Sequence, residues 1–221
     1  MKPEIKEQIF QPGPLYKRRF EIVDKIKQDM RTGDILYRYS DAKGPLGLPF
    51  TRMVANITKS EYSHAAVLFL QDGEPFVMEV NDEGTLQYRL LDWIDTCYGL
   101  NFSVYRLKDL TKDQEWKLLT QIHLFLNTDP DYNFTFSDSD KFYCTESVIY
   151  IYKMAVGISL DSGYLLKEIM SPFGYFLFCL GSPLFKLFGT SLPLDKRLYF
   201  VGNEQRGMMS SPFTELVHKV K

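Results

Sequence analysis

The chain lacks an excess of either charge. Its 26 Lys and Arg against 28 Asp and Glu leave a formal charge of −2 over 221 residues. No basic field of that kind holds a nucleic-acid backbone, so nucleic acid is excluded as an expected partner. Cysteine is scarce: Cys97, Cys144 and Cys179 are odd in number and far apart, with no CxxC. A disulfide framework and a zinc site are therefore not expected. His64, His123 and His218 show no ligand spacing, and no metal or cofactor is expected. A long clean hydrophobic run is also missing. The most apolar segment, 171 to 189 (SPFGYFLFCLGSPLFKLFG), is interrupted by Gly181, Pro183 and Lys186, so a regular spanning helix is excluded. It reads as a buried helical hairpin or as a hydrophobic lid touching lipid or an acyl chain. The first 20 residues hold no apolar run of signal-peptide length. The chain as given is expected in the cytoplasm, or in the periplasm or cell envelope if a signal has been removed.

What is present suits one compact domain. Hydrophobic residues make up 45% and aromatics 15%, enough for a full core. Residues 16 to 30 carry apolar positions near helical period, and Gly33 ends that helix before a strand in DILYRYS. A short helix is read at 51 to 57. HAAVLFLQDGEPFVMEV reads as two strands joined at Asp72-Gly73. TLQYRLL and NFSVYRL continue the series, with a helical turn in LDWIDTCYG between them. Consecutive strands imply an antiparallel meander. A helix capped by Thr111 follows, and another runs from about Tyr143 to Val156, closed by Gly157. LYFVGNE is read as a late strand and SSPFTELVHKV as a terminal helix capped at Ser211. The class is α+β, an antiparallel sheet packed against helices, as a single domain over 1–221 with an aromatic-rich helical insertion at about 160–195.

DKFYCTESVIYIY places Cys144 at the head of the second long helix, after Asp138, Ser139 and Asp140, which can cap it. A thiol in a first turn feels the positive end of the helix, which favours thiolate, and the N–H groups there point at a developing oxyanion. By itself this is weak, because most buried cysteines are structural. The nucleophile needs a base. His64 opens an apolar strand and can project from the sheet edge toward a helix; the alternative is a semi-buried structural histidine. Glu79 lies between Met78 and Val80 on the next strand, where a carboxylate is costly without partners. The hairpin brings it beside the His64 strand, with Asn81 of the same parity as the substitute. The alternative is a Glu79 that faces solvent, since alternation does not say which face is wet. Arg38 and Lys59 fall near the same cleft.

GDILYRYS, YSHAAVLFL, FVMEV and DYNFTFSDSDKFYCTESVIYIY together resemble the permuted papain-like family of NlpC type, most closely its YiiX-like branch. In that branch the chain order is His, polar residue, Cys, matched by His64, Glu79 and Cys144. The branch's GD motif is matched by Gly33 and Asp34, and its YCSE by Tyr143, Cys144, Thr145 and Glu146, with Thr145 in place of Ser. The resemblance bears on residues 31 to 156. It implies a circularly permuted papain-like fold and a thiol hydrolase or acyltransferase. Cys144 would be the nucleophile, His64 the base, Glu79 the orienting acid and Tyr132 an oxyanion donor. Three functions compete. One is an amidase or peptidase on small peptides or cell-wall fragments. The second is an acyltransferase or thioesterase of the lecithin:retinol acyltransferase type, with 171–189 against lipid. The third is a non-catalytic binding module. Substrate-binding residues and oligomeric state carry no signal.

Overall fold

The computed structural model describes residues 14–39, 50–81, 84–126, 143–172, 175–176, 179 and 197–221. Tyr132 and most of 171–189 lie outside them. In chain order the elements are α1 (Pro14–Ile26), β1 (Ile35–Arg38), α2 (Phe50–Thr58), β2 (His64–Gln71) and β3 (Glu74–Asn81). They continue with β4 (Gly84–Arg89), α3 (Leu90–Asp95), β5 (Phe102–Leu107), α4 (Lys112–Phe125), α5 (Cys144–Val156), α6 (Leu166–Ile169) and β6 (Thr214–Val220).

The six strands form one antiparallel sheet in the order β4-β3-β2-β1-β5-β6. The meander read from the sequence holds from β1 to β4; β5 then crosses over to pair with the other edge of β1. Asp72 and Gly73 take φ of 54° and 83°. Two left-handed residues in a two-residue connection match the right-handed twist of the flanking strands. Thr111 caps α4 in a capping box, but the reciprocal partner is Gln114 rather than an acid. Gly157, at φ 73°, closes α5 in the left-handed conformation.

Side-chain alternation sorts the core onto two faces. Ile35, Tyr37, Ala65, Val67, Met78 and Val80 point to the layer of α4 and α5. Leu36, Ala66, Leu68 and Val77 point the other way, onto Ile26 of α1 and Leu90, Trp93 and Ile94 of α3. The sheet is therefore covered on both faces, which is why β2 reads as an unbroken apolar run.

Two expectations near the C-terminus are corrected. SSPFTELVHKV is not a helix: Thr214–Val220 is β6, paired along β5. Ser and Pro at its start serve a turn, with Thr214 N–H donating to the Ser211 carbonyl at 3.4 Å, and the free edge of β5 decides the rest. LYFVGNE forms no sheet strand. Leu198 makes an isolated bridge to Tyr164, and the chain then folds back on itself, with Met208 N–H on the Phe200 carbonyl and Met209 N–H on the Val201 carbonyl, both at 3.0 Å. Gly202 is obligatory there, because a Cβ would sit 1.9 Å from the Arg206 carbonyl oxygen. Of the expected insertion at 160–195, the described part includes one short helix, α6.

Candidate active site

Arg38 ends β1 and pairs in register with His64, which begins β2. Glu79 lies two residues from the end of β3. All three share the parity of Leu36, Ala66 and Val77, so their side chains leave from the α1–α3 face at one end of the sheet. Cys144 comes from the opposite layer. It is the first residue of α5, which packs on β2 and β3. At that end of the sheet the thiol reaches the ring of His64.

The contacts form a chain. His64 Nε2 lies 3.0 Å from Glu79 Oε2. That leaves Nδ1 for Cys144, with which His64 shares a hydrogen bond. Trp93 Nε1 donates to Glu79 Oε2 at 2.8 Å. Arg38 Nη2 donates to Oε1 at 3.1 Å and to Oε2 at 3.2 Å. Glu79 is 1% exposed and His64 7%, so these bonds act in a medium where charge is poorly screened. The ionised Glu79 only accepts, so the ring N–H of His64 is the donor.

Burial would raise the Glu79 carboxyl, but His64, Arg38 and Trp93 outweigh it and hold it down to about 2. Burial would likewise strip the proton from His64. The Cys144 and Glu79 charges reverse this, against a smaller opposing push from Arg38, and raise the imidazole to about 9. For Cys144 burial favours the thiol, yet His64 and a hydrogen bond from the Ala65 backbone N–H lower its pKa below the ordinary thiol value. Both shifts favour a thiolate–imidazolium pair at neutral pH.

Two bonds fix the head of α5. Thr145 Oγ1 donates to the Tyr199 carbonyl and Tyr199 N–H donates to Tyr143 Oη, both at 2.8 Å. The helix begins at Tyr143, whose side chain does not cap it; Asp138, Ser139 and Asp140, the expected caps, lie outside the described residues.

The structure thus brings Cys144, His64 and Glu79 together, and it is Glu79, not Asn81, that meets the ring; Asn81 pairs with Gly84 across β3 and β4. Tyr132 lies outside the described residues. His123 is edge-on to Phe69 in the α4 layer, and His218 Nε2 is 3.5 Å from Asp29. Lys59 is exposed, and its carbonyl accepts from Asn203. Sequence reasoning missed Trp93 and the role of Arg38. The signal available was the cost of Glu79 itself: a carboxylate inside an apolar strand requires donors, though nothing in the sequence names them. All three cysteines are free.

Among the described residues, no three His, Cys, Asp or Glu groups come together to hold a metal ion, and no helix is long and apolar enough to cross a membrane.

Comparison with known proteins gives the family. The chain is similar to the protein named YiiX of Escherichia coli strain K12, 28% identical over 173 residues, which cover 75% of this chain and 77% of that protein. It is also similar to a crystal structure of yiiX from Escherichia coli O157:H7, titled a metalloprotein. There the TM-score is 0.67 at 25% identity, covering 86% of this chain and 97% of that one. The family model described as permuted papain-like amidase enzyme, YaeF/YiiX, C92 family matches residues 29–176, a span that includes Arg38, His64, Glu79, Trp93 and Cys144. The chain therefore belongs to the permuted papain-like amidases of the YaeF/YiiX, C92 family, a family of cysteine hydrolases.

Proposed function

We propose that this chain hydrolyses an amide or ester bond through a thioester on Cys144, with His64 as general acid and base and Glu79 as the group that orients and charges the imidazole. The observation that carries the reading is the position of His64, bonded to Glu79 on one ring nitrogen and to Cys144 through the other. The Cys144 thiolate forms the S–C bond at the carbonyl carbon, and the π pair moves onto oxygen. The backbone N–H of Cys144 at the head of α5, with Tyr132 from outside the described residues, accommodates that oxyanion. Collapse breaks the bond to the leaving amine or alkoxide, which takes the proton from His64 Nδ1. Neutral His64 then accepts a proton from water as its oxygen attacks the thioester. The second collapse frees the acid, and the thiolate–imidazolium pair returns.

The substrate is a small peptide or cell-wall fragment in this proposal. The family description as amidases supports it. The acyltransferase reading rests on the composition of 171–189, which lies mostly outside the described residues.

The test is turnover by Cys144→Ala on a mixed peptide and lipid-ester library, with intact-mass detection of an adduct on the wild-type protein. Loss of turnover with an unchanged melting curve is expected, because Cys144 is only half-buried. Hydrolysis at the wild-type rate by the variant would overturn the nucleophile assignment. The adduct mass separates a peptide acyl group from a fatty one.

A further inference from the structure

Arg38 touches nothing that reacts in the mechanism above, yet it is 6% exposed and locked in place. Its Nη1 donates to the Thr96 carbonyl at 3.3 Å, and its guanidinium lies 5.8 Å from the centre of the Trp93 ring. Its Nη2 reaches both Glu79 oxygens, whereas the ring of His64 reaches only Oε2. The half-buried Cys144 and the buried His64, Glu79 and Arg38 therefore form a row of alternating charge.

We infer that Arg38 is a positioning residue that acts through Glu79, sharing the carboxylate with His64 so that the imidazole releases its proton more readily than a lone His–Glu pair would. This rests on the proposed roles of His64 and Cys144. The argument is one of charge. With Arg38 in place, the row is neutral when His64 is protonated. Without it, losing the His64 proton would leave two anions, Cys144 and the buried Glu79, with no cation beside them, a costly state. The His64–Glu79 pair would keep its proton to higher pH, and His64 would be a poorer acid toward the leaving group.

Among the described residues, the other titratable groups facing this row do not supply a substitute cation. They are Tyr143 beside Cys144 on the α5 side, and Cys97 beyond α3, which interacts with both Arg38 and Glu79. Burial pushes the Cys97 thiol up to about 12, so it stays neutral throughout the working range. Trp93 gives Glu79 a hydrogen bond but no charge. Arg38 is thus the cation on the far side of the carboxylate, and the direction of its effect on His64 agrees: it lowers the imidazole pKa.

The test is an NMR titration of the three histidine side chains in the full chain, for wild type, Arg38→Gln and Arg38→Met. It needs no substrate. Removing the cation should raise the His64 midpoint by about 1 pH unit, the size expected for a charge at this range, while His123 and His218 stay where they were. Arg38→Lys, which restores the charge without the fork, should bring the His64 midpoint back toward wild type. A His64 midpoint that stays put or falls in a folded Arg38→Gln protein would overturn the inference, as would failure of both neutral variants to fold, which would make Arg38 a purely structural group. Turnover by Cys144→Ala would sink the nucleophile and leave this titration standing, so the two failures are distinguishable.

Discussion

Strand β1 has a buried carboxylate–arginine pair at each end, and the two behave in opposite ways. Before its first residue, Asp34 is fully buried and accepts from Arg106 Nε at 2.7 Å and Nη2 at 2.8 Å, and from the Arg31 backbone N–H at 2.9 Å. At its last residue, Arg38 holds Glu79. Burial is the largest influence on both acids. At Asp34 it wins, and the pKa is raised above the ordinary value despite Arg106. At Glu79 it loses, and the carboxyl falls to about 2, because His64 is a second cation and Trp93 a further donor. One bonded arginine, with a weaker push from the exposed Arg31, offsets only part of the desolvation of Asp34; two bonded cations and an indole exceed it at Glu79. The first pair ties a loop to a strand. The second leaves charge to spare for the imidazole.

The sharpest way to test that difference is to neutralise each acid. Glu79→Gln should reduce turnover by about 10²- to 10⁴-fold, because the amide cannot stabilise the imidazolium. It should also cost about 3–5 kcal/mol in urea denaturation, since Arg38 is left buried without its carboxylate. Asp34→Asn should cost about 1–3 kcal/mol through the weakened bonds to Arg106, with turnover per folded molecule within about twofold of wild type. Equal losses of turnover in the two variants would erase the contrast between the ends of β1.

Stability against pH sharpens it further. Glu79 has a lowered pKa, so its contribution is present above the ordinary value of 4.5 and is lost as pH falls toward about 2. Asp34 has a raised pKa, so its contribution is greatest below 3.8 and is lost as pH rises through that region. Denaturation between pH 2 and 5 should therefore show the acid-side loss shrinking in Glu79→Gln and growing steeper in Asp34→Asn. His64, raised from 6.5 to about 9, adds stability that is full below 6.5 and lost as pH rises to about 9. A smaller effect is expected at the head of α5. Thr145→Val should cost about 1 kcal/mol by leaving the Tyr199 carbonyl unbonded, with the His64 midpoint unchanged by NMR.

The elements that were legible in the sequence are those whose signals are local. The Asp72-Gly73 turn required left-handed residues and had them; the Thr111 cap and the Gly157 stop each act within one helical turn. Cys144, His64 and Glu79 were legible as candidates because each residue type is unusual where it stands. β6 was not legible, since Ser211 and Pro212 begin a helix or a turn equally well and only the edge of β5 settles which. Trp93 and Arg38 were not legible as partners of Glu79, because their separations along the chain, 14 and 41 residues, carry no periodic trace.

By itself the sequence determined the kinds of the elements from α1 to α5, the hairpin that sets β2 against β3, and the order of His64, Glu79 and Cys144, because short-range sterics and two-residue alternation act between neighbours. Tertiary structure alone decided which face of β3 is dry, that Cys144 arrives from the layer opposite its partners, and that Glu79 is bonded by two cationic side chains where Asp34 is bonded by one. Those outcomes depend on register and packing across the whole sheet, and burial turns them into charge states only after the layers have closed.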